Sequence, residues 1–160
     1  MTTETEVSAT PIITLDREKI AEILPHRGSA LIIDSVEILE EKSAIGHFLV
    51  HADDQRVIEH FGVLPGHCIA EFAHLTGAVM SLHQNQQGMF TLLTDSCIKN
   101  FMIALPGDIL SCFVELSEPE GEPLIFTCAI RNQHTNLIAE VLFRGKIVSQ
   151  RIMERLKRRK

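Results

Sequence analysis

Glu59-His60-Phe61-Gly62-Val63-Leu64-Pro65-Gly66-His67-Cys68-Ile69-Ala70-Glu71 runs into an apolar segment that ends near Leu82, and this stretch decides the fold. Pro65-Gly66 is a strong turn signal, and the residues after it repeat at helical spacing. Ile69, Phe72, Ala73, Thr76 and Met80 fall at i, i+3, i+4, i+7 and i+11 and so share one face. The predicted helix, about Pro65 to His83, is apolar over most of its circumference, so it needs cover on more than one side. Glu71 lies off the main stripe, one turn into the helix. A carboxylate there is costly unless it is paired or its pKa is raised.

Elements predicted on either side supply that cover. Met1 to Thr10 are polar, and residues 1–11 are expected to form a disordered tail. Asp16 reads as the N-cap of a short helix carrying Ile20, Ile23 and Leu24, which Pro25 stops. Strands are expected at Ala30 to Leu39 and at about Ser43 to Val50, across the charged turn Glu40-Glu41-Lys42. Gln84 to Gly88 ends the long helix. Four further strand-like runs follow at Phe90–Phe101, Ile109–Ser117, Leu124–Asn132 and Leu137–Val148, separated by Leu105-Pro106-Gly107-Asp108, Glu118 to Pro123 and Gln133 to Asn136. Leu124, Phe126, Cys128 and Ile130 alternate with Ile125, Thr127, Ala129 and Arg131, a period of two. The pattern is α+β: one long central helix against a mostly antiparallel sheet of about six strands that curls around it. Residues 12–150 form that domain, and 151–160 a basic C-terminal tail. A six-stranded sheet leaves open edges, which a second copy of the chain would cover; a homodimer or higher homo-oligomer is expected.

Bulk properties narrow the function. A chain of 160 residues is long enough for one domain with a real core. The net charge of −6 argues against a nucleic-acid surface. This is despite five basic residues, Arg155, Lys157, Arg158, Arg159 and Lys160, among the last six. No apolar run approaches the ~18 residues of a membrane span, and the N-terminus carries no signal-peptide pattern. Cys68, Cys97, Cys112 and Cys128 share no C-x-x-C spacing and sit in apolar contexts. They read as buried free thiols of a cytoplasmic protein.

Three stretches, in order, resemble the hot-dog-fold 3-hydroxyacyl-(acyl-carrier-protein) dehydratases. They are Ile23-Leu24-Pro25-His26-Arg27 with Leu31 to Val36, then His60-Phe61 with Pro65-Gly66 and Glu71, then Ile98-Lys99-Asn100-Phe101 with Pro106-Gly107-Asp108. His60 and Glu71 are eleven residues apart (71 − 60), a loop shorter than is usual in that family. In this the segment is closer to the branch associated with aryl-polyene-type lipids. Leu75 stands where a Gln often follows the acid, with His74 before it. The resemblance implies dehydration of 3-hydroxyacyl thioesters on an acyl carrier protein. It implies no cofactor, and a site in which the His and the acid come from different subunits.

That chemistry suits these residues. Removing a C2 proton wants a base titrating near neutrality, which His supplies. Expelling the C3 hydroxyl wants a proton donor, a task for a carboxyl of raised pKa. The enolate oxygen wants fixed donors such as N–H groups at a helix N-terminus. His60, Glu71 and the Gly66 N–H are the candidates, beside the plainer readings of a loop histidine, a paired carboxylate and a turn glycine. Phe61, Val63, His67, Ile69 and Phe72 are the expected substrate-binding residues along an apolar tunnel. His67 is also a substitute base should the short loop draw His60 away. His67, Glu71 and His74 share a helix face that could hold a metal, but without further ligands no metal is expected. His26 reads as structural, and Ser35, Thr94 and Ser96 lie in no nucleophile-elbow pattern. The alternatives on the same fold are an acyl-thioesterase in which Glu71 activates water, and a non-catalytic acyl-binding or partner subunit.

Overall fold

The structure, a computed structural model, describes residues 11–83, 88–118 and 123–159. The expectations for Met1–Thr10, for the helix stop at Gln84–Gln87 and for the turn around Pro119–Glu122 lie outside those residues.

Helix α3 spans Gly66–Leu82, as the apolar periodicity predicts. It follows two shorter helices, α1 at Arg17–Ile23 and α2 at Gln55–Ile58. Asp16 caps α1, its carboxylate accepting from the Lys19 N–H at 2.9 Å. Among the described residues, seven strands form one antiparallel sheet: β1 Ile13–Asp16, β2 Ser35–Glu40, β3 Ser43–Leu49, β4 Met89–Asn100, β5 Ile109–Ser117, β6 Leu124–Arg131 and β7 Leu137–Ser149. Their order is β1-β2-β3-β5-β6-β7-β4. The chain leaves β3, crosses the sheet through α3, lays down β4 at the far edge, and returns to pair β5 with β3. Crossing in this way places α3 over the inner face, where it meets every strand but β1.

The inner face is packed closely. Phe72, Leu75, Thr76 and Val79 of α3 are fully buried, with Phe126, Ile130, Ile138 and Phe143 from the sheet. Burying each large apolar side chain contributes roughly 1.5–3 kcal/mol. Phe126 and Phe143 stack at 4.4 Å, and a side chain at Gly77 would strike both rings. Gly46 of β3 plays the same part under Thr76. These two glycines let the helix sit down on the sheet.

Four differences from expectation have physical causes. A short edge strand, β1, adds to the predicted six by pairing Ile13 to Asp16 with β2. The strand expected from Ala30 begins only at Ser35. Gly28–Ala30 form a turn of 3₁₀ helix, and Leu31, Ile32 and Ile33 are all buried in succession, which an alternating ladder does not permit. Asp34 then anchors the ladder, its carboxylate accepting from the Leu49 N–H at 2.7 Å. The basic tail is largely a helix, α4 at Gln150–Lys157, with Ile152 and Leu156 exposed among Arg151, Arg155 and Lys157.

The last difference concerns the thiols. Cys68, Cys112 and Cys128 are buried free thiols, but Cys97 is exposed on the outer face of β4. The adjoining Cys112 and burial together push the Cys128 thiol far above the ordinary thiol range. Among the described residues, no helix is long and apolar enough to cross a membrane.

Candidate functional site

Glu71, one turn into α3, keeps its side chain 38% exposed at the sheet's β4 edge. Its Oε2 lies 3.4 Å from His74 Nδ1, one helical turn on. Its Oε1 lies 3.6 Å from Nε2 of His26, in the loop after α1. His26 therefore belongs to the site rather than to the scaffold alone, and its Nδ1 is buried without a hydrogen-bond partner among the described residues. Resting edge-on against Phe143 at 4.9 Å, the His74 ring directs Nε2 at Ser96 Oγ, 2.8 Å away on β4.

A β-bulge brings Ser96 there. Leu93 pairs with Gly145 and Asp95 with Arg144, so Thr94 is an extra residue on β4. Before the bulge, Met89 packs on the core and Thr91 bonds Ser81 of α3; after it, Ser96, Ile98 and Asn100 point inward. One inserted residue flips every later side chain to the other face. It turns Ser96 toward His74 and leaves Asp95 and Cys97 outside, where Asp95 pairs with Arg144 at 3.0 Å.

The carboxyl of Glu71 is held below its ordinary range. The His74 hydrogen bond is the main cause; burial opposes it, and the charges of His74 and His26 add to it. The expectation of a carboxyl raised by burial is thus corrected. Two imidazoles at the carboxylate outweigh partial burial, and Glu71 stands ionised at neutral pH.

His60 lies apart from this cluster. It is exposed, with Nδ1 3.3 Å from the Val63 carbonyl. Among the described residues it shares no hydrogen bond or ion pair with Glu71. Phe61 and Gly62 both take left-handed backbone, at φ 55 and 76, to turn the chain from α2 toward α3. Phe61 is 97% exposed, an apolar ring with the His60 imidazole edge-on to it at 6.1 Å. Val63 is half-buried and His67 exposed, while Ile69 and Phe72 are buried. Phe72 packs against Phe48 at 5.9 Å, so it is core rather than tunnel wall; the i, i+3 stripe faces the sheet. Among the described residues, no three His, Cys, Asp or Glu side chains are placed to hold a metal.

Gly66 opens α3. Its N–H is among the first of the helix, which have no carbonyl a turn earlier to bond. Asn100 of β4 lies against it, so closely that a Cβ at Gly66 would come within 2.9 Å of the amide nitrogen. Two polar N–H groups thus meet at the positive end of the helix, a place suited to a developing oxyanion.

No protein-family model matches this chain. It is 35% identical over 122 residues to the 3-hydroxyacyl-(acyl-carrier-protein) dehydratase FabZ of Bartonella henselae, covering 72% of this chain and 79% of that protein. A Thermus thermophilus hypothetical protein, a thioesterase superfamily member, superposes with a TM-score of 0.65 at 19% identity, over 76% of this chain and 92% of that one. A hot-dog-like protein from Thermanaerovibrio acidaminovorans superposes with a TM-score of 0.62 at 17% identity, over 72% and 87%. The curved sheet around a central helix is the hot-dog fold.

Proposed function

The chain belongs to the FabZ family of 3-hydroxyacyl-(acyl-carrier-protein) dehydratases, and from that membership we propose that it dehydrates 3-hydroxyacyl thioesters on an acyl carrier protein to trans-2-enoyl thioesters. The observation that carries the reading is the Gly66 end of α3, with its N–H and the Asn100 amide, next to an ionised Glu71.

A homodimer supplies what one chain lacks. Strand β4 is a twelve-residue edge, paired to β7 on one side only. Long open edges of this kind invite a second copy. Around the His60 loop, Ile58, Phe61, Phe101, Met102, Ile103 and Leu105 are all exposed, and Leu64 bridges to Ala104 between the two segments. An apolar patch of that extent marks an interface. With β4 meeting β4 of the second copy, His60 of one subunit would serve Glu71 of the other.

The chemistry then needs one proton taken and one returned. His60 removes the C2 proton, and the Gly66 and Asn100 N–H groups hold the enolate charge on the thioester oxygen. The C3 oxygen must gain a proton to leave as water. Ionised Glu71 has none to give, so it accepts a hydrogen bond from the C3 hydroxyl and orients it. The His60 imidazolium returns the proton that it took.

The test is turnover of a 3-hydroxyacyl thioester on carrier protein, followed by enoyl absorbance. His60→Ala and Glu71→Gln are each expected to lose about 10²–10⁴ of the rate while folded. Mixing the two inactive variants should restore part of it, because a mixed dimer holds one intact site. A folded, dimeric parent with no enoyl product would refute the reading and favour a non-catalytic acyl-binding subunit.

A further inference from the structure

Ser96, His74 and Glu71 are joined in one chain of hydrogen bonds, of which the dehydration chemistry uses Glu71 but neither His74 nor Ser96. The carboxylate sits at Nδ1 of the imidazole, 3.4 Å away, and the hydroxyl at Nε2, 2.8 Å away. This order matters. A carboxylate at Nδ1 keeps the ring proton on that nitrogen, which leaves the Nε2 lone pair facing the serine O–H. The same three residue types in the same order activate serine in hydrolases on unrelated folds, where geometry and not sequence position identifies them.

The surroundings support a reactive rather than a structural serine. His74 is mostly buried, at 16% side-chain exposure, and its ring is braced against Phe143. Ser96 itself is exposed, so an acyl group can reach Oγ. The bulge at Thr94 reverses the faces of β4 just before Ser96. Without it Cys97 would face the helix. Bulges that re-aim a side chain gather beside active sites.

We propose that Ser96 is a nucleophile, with His74 as its general base and Glu71 as the residue that positions His74, and that this site hydrolyses acyl thioesters. The activity goes beyond dehydration and takes only its substrate class from that reading. Ser96 Oγ attacks the thioester carbonyl while its proton passes to His74 Nε2. The carbon–sulfur bond breaks, and the thiol leaves with the proton from His74. Water, deprotonated by His74, then attacks the acyl-serine ester, and as the ester carbon–oxygen bond breaks His74 returns that proton to Ser96 Oγ. The products are a carboxylic acid and a free thiol, with serine restored. Glu71 remains a carboxylate throughout.

Two probes test the site apart from dehydration. A fluorophosphonate reports an activated serine without any thioester. The parent is expected to gain one phosphonyl group on the peptide holding Ser96, Ser96→Ala none, and His74→Ala to label at least ~10²-fold more slowly. Butyryl-N-acetylcysteamine has no 3-hydroxyl, so thiol released from it measures hydrolysis alone. Ser96→Ala should lower that release about a thousandfold, and rapid quenching should trap a butyryl ester on Ser96 of the parent. The proposal is overturned if the folded parent does not label, labels elsewhere, or labels as fast with His74→Ala. It is equally overturned if the parent labels but releases no thiol. Thiol release that survives Ser96→Ala but is lost in Glu71→Gln would overturn it in favour of water activated by the carboxylate. Enoyl formation from a 3-hydroxyacyl thioester, run beside these, reads the dehydratase separately.

Discussion

Gly46→Ala tests the seating of the central helix on which the whole site depends. Gly46 pairs with Val36 on one side and Cys112 on the other, at the middle of the sheet beneath α3. A Cβ there would lie 2.2 Å from Thr76 Oγ1, 2.8 Å from its Cγ2 and 3.1 Å from its Cβ. Comfortable contact needs about 3.5 Å or more, so the helix must rise by roughly 1.3 Å or Thr76 must turn away. Turning is not free, because Thr76 is fully buried and its hydroxyl donates to the Phe72 carbonyl at 2.8 Å. Overpacking of this kind costs about 1–3 kcal/mol, and a lost buried hydrogen bond adds ~1. The smaller unfolded-state entropy of Ala returns less than about 1 kcal/mol. A net loss of about 2 kcal/mol is expected. Thr76→Ala removes the two nearest atoms, so the double variant should recover ~2 kcal/mol of the sum of the single losses. Urea unfolding of all four proteins, followed by far-ultraviolet circular dichroism at one protein concentration, measures this coupling. Strict additivity, or a Gly46→Ala loss under ~0.5 kcal/mol, would refute the packing argument.

Two further outcomes follow from the site. Glu71 is held below its ordinary value by His74 first of all, so the carboxylate contributes stability above its unfolded pKa and loses it as pH falls through the lower folded value. In His74→Ala its carboxyl titration, followed by ¹³C NMR, should move upward toward the ordinary glutamate value; an unchanged titration would show that another group holds it down. Gly66→Ala meets only the flexible end of Asn100, so stability should fall by less than about 1 kcal/mol while displacement of the amide lowers kcat for dehydration about tenfold. Unchanged turnover with intact folding would remove this pair of donors from the chemistry.

Much of the fold could be read from local patterns. The stripe from Ile69 to Met80 requires a helix covered on several sides, and the alternation from Leu124 to Arg131 requires a strand with one dry face. Pro25, Pro65-Gly66 and Pro106-Gly107 punctuate the chain where backbone rules demand it. These signals depend on neighbours in sequence, and the structure follows them closely. The extended run Leu31 to Asp34 departs because burial of three successive residues came from the helix and loops around it, not from a ladder partner.

The site was legible only in part. His60, Gly66 and Glu71 stand out by type and spacing, and Glu71 does sit at a polar cluster. Ser96 left no signal, being one of several hydroxyl residues in a strand, 22 positions from His74. His26 likewise meets Glu71 only across the fold.

The sequence by itself determined the central helix, the alternating faces of the strand from Leu124 to Arg131 and a carboxylate one turn into that helix, because each follows from periodicity and turn chemistry within a few residues. Only the tertiary structure decided the approach of His26 to Glu71 and the aim of Ser96. The first depends on an imidazole brought from the loop after α1, and the second on a single inserted residue that reverses the faces of β4. Neither distance nor strand parity is written in any local stretch of the chain.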